Sequence, residues 1–157
     1  MNEQLLELAK RIEDELCEVE QAVERAQEGW RRFQNSADPL YMDISALNLH
    51  SFYNGIERIF EAISTTADNR RPQGINWHQI LLEQMATELP GVRPAVISEN
   101  SCETLNNYRG FRHVVRHSYA SQLDGAKLQK LMDTIPHTLE QVSLELKTFA
   151  AFLKTQV

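Results

Sequence analysis

The chain has 157 residues, 42% hydrophobic and 24% charged, with 6 Gly and 5 Pro, the make-up of a single globular domain over 1–157; collagenous, low-complexity and wholly disordered chains are excluded. Its net charge of −6 argues against a long nucleic-acid duplex as partner. No apolar run approaches the roughly 20 residues of a membrane span, the opening residues lack the features of a signal peptide, and Cys17 and Cys102 stand apart as free thiols, so the expected compartment is the cytoplasm.

The charge is unevenly spread. Residues 1–28 hold nine acids (Glu3, Glu7, Glu13, Asp14, Glu15, Glu18, Glu20, Glu24, Glu28) against Lys10, Arg11 and Arg25, which accounts for the whole net charge. Residues 104–123 hold Arg109, Arg112, Arg116, His113 and His117 and no acid. A patch of that size suits a phosphate group.

Apolar residues at steps of three and four, from Leu5 and Leu8 to Trp30 and Phe33, predict a long amphipathic helix over 3–33. Asp38-Pro39 is a helix start signal, and Ile44, Leu47, Phe52, Ile56, Ile59, Phe60 and Ile63 predict a second helix from Leu40 to Ala67. Gly55 inside it costs about 1 kcal/mol relative to Ala, a cost that close helix–helix approach would explain. Asp68 to Gly74 is a loop; Asn76 caps a third helix, Trp77 to Leu89, ended by Pro90-Gly91. Pro94 to Ser98 leads into a fourth reaching about Tyr119, and Asp124 caps a fifth from Gly125 to about Leu153, which Pro136 should kink or interrupt. With no strand alternation and no internal repeat, the fold class is all-α, an antiparallel bundle of about five helices.

The chemistry lies in Tyr108 to Tyr119. On a helical wheel with Arg112 at zero, Tyr119 falls near −20°, Arg116 near 40°, His113 near 100° and His117 near 140°, while Val114, Phe111 and Val115 fall at about 200° to 300°. One arc would pack into a core and the other would gather two arginines, two histidines and a tyrosine. RNA is cut without a metal when its 2′-hydroxyl attacks the adjacent phosphate. That reaction needs a group titrating near neutrality, which histidine supplies, and a fixed cation for the phosphorane, which arginine supplies. It needs no cofactor. Two histidines four apart could also ligate a metal, but Arg112 and Arg116 beside His113 and His117 would repel one, and no carboxylate is close. His50, His78 and His137 read as ordinary surface or core histidines, and Trp30 and Trp77 as packing residues.

Arg112, four intervening residues, His117, one residue and Tyr119 resemble the RX4HXY signature of the HepT toxins, helical RNases of the HEPN superfamily. Tyr53-Asn54-Gly55-Ile56-Glu57-Arg58-Ile59-Phe60, Trp77-His78-Gln79-Ile80-Leu81-Leu82, Pro90-Gly91-Val92-Arg93-Pro94 and Phe111-Arg112-His113 extend the resemblance over about residues 40–135. It departs from the family at His113, where many HEPN proteins have Asn or Asp after the motif arginine.

The resemblance implies a dimeric α-bundle whose two Arg/His sets share one cleft, metal-independent endoribonuclease activity, and toxicity to the host cell. It also implies a minimal nucleotidyltransferase antitoxin that transfers AMP to the motif tyrosine. Residue by residue, Arg112 would stabilise the phosphate, His117 would act as acid or base, and Tyr119 would be the modification target; His113, Arg116 and Arg109 would be auxiliary. The alternative is a non-catalytic HEPN module that binds a nucleotidyltransferase or a nucleotide.

Overall fold

In the computed structural model residues 2–117 and 124–157 are described, with side chains given for 3–111 and 124–157. Five helices are present among them: α1 (Asn2–Ser36), α2 (Pro39–Thr66), α3 (Trp77–Met85), α4 (Glu99–His117) and α5 (Gly125–Thr155). No strand occurs among the described residues, only an isolated bridge between Leu89 and Arg93. The fold is all-α, as the periodicity predicts.

Leu8, Ile12, Leu16, Val19, Val23 and Ala26 put one face of α1 into the core. The helix ends where Ala37 turns left-handed at φ 57, its amide on the Phe33 carbonyl at 2.7 Å. Asp38 then accepts from the Leu40 amide and Pro39 opens α2, which is the expected start signal. The two helices run antiparallel, with Arg58 on Glu15 at 2.9 Å and Ser45 donating to the Ala26 carbonyl at 2.7 Å. Between those contacts Gly55 faces Val19 so closely that a Cβ on it would lie 2.5 Å from Val19 Cγ2. The glycine is there for close approach.

Helix α5 lies antiparallel along α1 as well, Lys154 meeting Glu13 and Lys147 meeting Glu20. It runs through Pro136 without interruption and ends two residues later than expected; the proline removes one N–H, and the packed turns on either side carry the helix across. Helix α4 sits on α2, α3 and α5 and runs antiparallel to α5. The start of α5 therefore lies at the same end of the bundle as the start of α2 and the end of α4; a Cβ on Gly125 would stand 3.7 Å from Met42 Sδ.

Helix α3 stops at Met85, not Leu89. The reason is Arg93, whose guanidinium is buried and spends all five N–H groups. Nε and Nη2 grip Asp68 at 2.6 and 2.8 Å, Nη2 also reaches the Gln84 carbonyl, and Nη1 donates to the Thr87 and Pro94 carbonyls. Carbonyls that would have continued the helix serve the arginine instead, while Met85 accepts from the amides of Val96 and Ile97.

Candidate functional site

The chain enters α4 through a polar mooring. Ser98 places its amide and hydroxyl on the Glu145 carboxylate of α5, at 2.8 and 3.1 Å, and Ser101 adds a third bond at 3.1 Å. The Ser98 hydroxyl also accepts from the Ser101 amide, so it caps the helix. Two turns on, Leu105, Tyr108 and Phe111 are buried. Tyr108 packs edge-on against Phe52 of α2, ring centroids 5.4 Å apart, and donates its hydroxyl to the Leu131 carbonyl of α5 at 2.9 Å. Burial pushes the Tyr108 phenol above its ordinary value, so it remains a hydrogen-bond donor at neutral pH. These contacts fix both the height and the rotation of α4.

The rotation differs from the simple wheel. Ser101, Leu105, Tyr108 and Phe111 are the buried positions, and on the wheel they span about 20° back through 340° and 320° to 260°. Arg112 at zero thus takes a register position that follows Leu105 by two turns and Tyr108 by one. The sector near 200°, expected to enter the core at Val114, is exposed two and three turns earlier, at Asn107 and Glu103. Within α4, His113 and His117 occupy the angular sector of exposed Asn106 and Gly110, and Arg116 that of half-buried Arg109. The side chains of Arg112, His113, Arg116 and His117 lie outside the described set, and Tyr119 lies outside the described residues altogether.

Arg109 holds its Nε on Asn106 Oδ1 at 2.9 Å. It lines a cleft of about 490 Å³ between α4 and α5, together with Asn106, Asn107, Gly110, Lys127, Lys130 and Thr134 over a floor of Phe111 and Leu131. The described lining on α4 runs as far as Phe111, one residue before Arg112 in the sequence. Lys127 and Lys130 escape a reading of the sequence because they lie beyond the acid-free stretch of residues 104–123. Only the Tyr108–Leu131 register brings them opposite Arg109. A larger groove of about 810 Å³ at the other end of the bundle is lined by Glu7 and Arg11 alike and by no described side chain of α4.

The remaining singled-out residues are structural. His78 shares a 2.7 Å hydrogen bond with buried Glu57 and stacks on Trp77 at 3.6 Å. Trp30 and Trp77 pack against the core, His137 is exposed, and both cysteines are free. No helix among the described residues is long and apolar enough to cross a membrane.

A family model described as HepT-like protein matches residues 44–153, which takes in most of α2, all of α3 and α4, and α5 to Leu153. The match reaches further along α5 than the motifs alone suggest, and leaves out the acidic helix α1. No curated protein and no solved structure matches the chain. With well over half of its residues inside that match, on a helical bundle of the expected kind, the chain belongs to the HepT-like family of the HEPN superfamily.

Proposed function

We propose that the protein is a metal-independent endoribonuclease toxin. HepT-like proteins are generally toxin nucleases, and what carries the reading here is the sequence motif Arg112/His117/Tyr119 inside the family match, with the backbone of Arg112 and His117 on α4, the helix that forms one wall of a basic cleft. In this reading His117 takes the proton of an RNA 2′-hydroxyl or supplies one to the leaving oxygen. The 2′-oxygen bonds to phosphorus, the bond to the 5′-oxygen breaks, and that oxygen departs protonated. Arg112 holds the phosphate oxygens as negative charge builds on them. The products are a 2′,3′-cyclic phosphate and a 5′-hydroxyl.

Five residues apart, Arg112 and His117 are separated by about 140° and about 7.5 Å along the helix, too far round for one protomer to grip one phosphate easily. A second copy across a two-fold axis would supply the missing half. An exposed apolar strip on α2 supports that assembly: Leu40, Ile44 and Leu47 share one helix face at 61%, 37% and 59% exposure, at the end of the bundle where α4 finishes. Control in this reading comes from a minimal nucleotidyltransferase that moves AMP from ATP to Tyr119, releasing pyrophosphate and placing a bulky anion near the RNA-binding arginines.

The deciding experiment incubates purified protein with RNA in EDTA, beside Arg112→Ala and His117→Ala. Cleavage by the wild type alone, leaving cyclic phosphate ends, is the expected result. No cleavage by any of the three, with the nucleotidyltransferase still bound, would make the chain a non-catalytic module. Mass spectrometry after incubation with the nucleotidyltransferase, ATP and Mg²⁺ should find AMP on the Tyr119 peptide and none on Tyr119→Phe.

A further inference from the structure

The cleft between α4 and α5 has a one-sided charge. Arg109, Lys127 and Lys130 all line it, and no acidic side chain stands among its described lining residues. Elsewhere the surface bases are often paired: Lys10 with Asp14, Arg32 with Glu28, Arg58 with Glu15, Lys154 with Glu13. Lys127 and Lys130 form no ion pair with a described residue, and Arg109 has only the neutral Asn106. Of the nearest acids in sequence, Asp124 keeps its Oδ1 on the backbone amides of Ala126 and Lys127, and Asp133, three residues after Lys130, is not among the described residues that line the cleft. Three cations facing one groove without a counter-charge repel one another, on a protein whose overall charge is negative.

The floor of the groove is also cleared. Gly110 sits inside α4, where glycine costs about 1 kcal/mol relative to Ala, yet no described atom lies within 4 Å of a Cβ placed there. Unlike Gly55, it brings no described element into close contact. What it does is keep one wall of the groove low. On α5, Lys127, Lys130, Leu131 and Thr134 follow one face at steps of three, one and three, so the two ammonium groups rise from the same wall as the apolar floor residue Leu131.

Resting on the ribonuclease reading, we propose that Lys127 and Lys130, with Arg109 opposite, form a track for phosphates of single-stranded RNA next to the one being cut. Two or three cations match two or three phosphates, whereas a long duplex would bring many more charges against the acidic face of α1. Attack in line by the 2′-hydroxyl also needs a strand free to turn about its backbone, which an A-form duplex restrains. Asn107 and Thr134 offer polar contacts to sugar and base, so the track adds affinity with little sequence preference.

The test measures binding of a short fluorescent single-stranded oligonucleotide with 2′-O-methyl groups, which cannot be cut, by anisotropy between about 50 and about 200 mM salt. Lys127→Ala/Lys130→Ala should weaken binding about tenfold or more at low salt. It should flatten the dependence of log K on log salt by about 1.4, since each lost single-strand contact removes about 0.7. Lys127→Arg/Lys130→Arg should keep both. Arg70→Ala/Arg71→Ala, which removes the same charge from the exposed loop at the other end, should change neither. Unchanged affinity in the lysine pair, an equal loss in the Arg70/Arg71 pair, no binding by the wild type, or equally tight binding of a duplex would overturn the track. Cleavage in EDTA by wild type and His117→Ala separates the two ideas. Lysine-dependent binding without cleavage retires the nuclease and keeps the track; cleavage with lysine-independent binding does the reverse.

Discussion

The hydroxyl of Tyr108 donates to the carbonyl oxygen of Leu131 at 2.9 Å and shares a second hydrogen bond with Thr134 Oγ1 at the same distance. Tyr108 is 2% exposed, so these bonds form away from water and tie α4 to α5 one turn before Arg112. Tyr108→Phe keeps the ring against Phe52 and loses the bonds, which should lower stability by about 1 kcal/mol. Tyr108→Ala also leaves a cavity and should cost about 3–5 kcal/mol. Urea unfolding midpoints at constant slope measure both. A Phe variant as damaged as the Ala variant would show that the hydroxyl, not the ring, sets the position of α4.

The Arg93–Asp68 pair should be the most sensitive polar contact in the molecule. Both side chains are at most 1% exposed, and every guanidinium N–H has an acceptor among Asp68, Gln84, Thr87 and Pro94. Removing either partner leaves a buried charge uncompensated. Asp68→Ala and Arg93→Ala should each destabilise by about 3–5 kcal/mol. Arg93→Lys should fail to rescue, because an ammonium cannot reproduce the planar five-donor fork. Thermal melts of the three variants give the comparison.

Two glycines in helix interiors should respond to alanine with opposite signs. At Gly55 the new methyl meets buried Val19 at 2.5 Å, and separating α1 from α2 should cost about 1–3 kcal/mol. At Gly110 no described atom is in the way, and the gain in helix propensity should raise stability by about 1 kcal/mol. Stabilisation at both positions would mean that α1 and α2 can move apart freely.

The helices were legible because their signals are local. Asp38-Pro39 and Asp124 are caps in sequence and caps in the structure, and the apolar spacing of α1, and of α2 from Phe52 to Ile63, matches their buried faces, whereas Ile44 and Leu47 of the same α2 pattern are exposed. What escaped a one-dimensional reading is long-range. The early end of α3 depends on Arg93 reaching back to Asp68, twenty-five residues away. The rotation of α4 depends on Leu105 and Tyr108, which precede Arg112 by seven and four residues. Lys127 and Lys130 join Arg109 only after α4 and α5 are set antiparallel. The motif of Arg112, His117 and Tyr119 is legible in the sequence as letters alone.

The two thiols should differ in reactivity. Cys17 is exposed. Burial pushes the Cys102 thiol up, and the carboxylates of Glu83, Glu103 and Glu99 push it further; its Sγ also faces the Leu82 carbonyl. A raised pKa leaves less thiolate at any pH below it, and thiolate is the reacting form. With an aromatic disulfide reagent at about pH 8, near the ordinary thiol value, Cys17 should react about tenfold faster or more. Two equal phases would mean that Cys102 is no better shielded than Cys17.

A composite site makes a prediction that single variants cannot. Suppose Arg112 of one protomer works with His117 of its partner. Then a mixed dimer of Arg112→Ala and His117→Ala has one active site carrying both losses and one carrying neither. Each variant alone should fall by about 10²–10⁴, since both sites in its homodimer are damaged. After mixing and exchange, half of the dimers are mixed and each has one intact site of two, so activity should recover to about a quarter of wild type. Exchange must occur through the dimer interface. Leu40→Glu/Leu47→Glu, which puts carboxylates on the exposed strip of α2, should therefore hold the protein near its monomer mass of 18.1 kDa in light scattering and abolish both activity and recovery. Mixing that restores nothing, while native mass spectrometry of one tagged and one untagged variant shows that mixed dimers have formed, would place Arg112 and His117 of the same protomer at each phosphate.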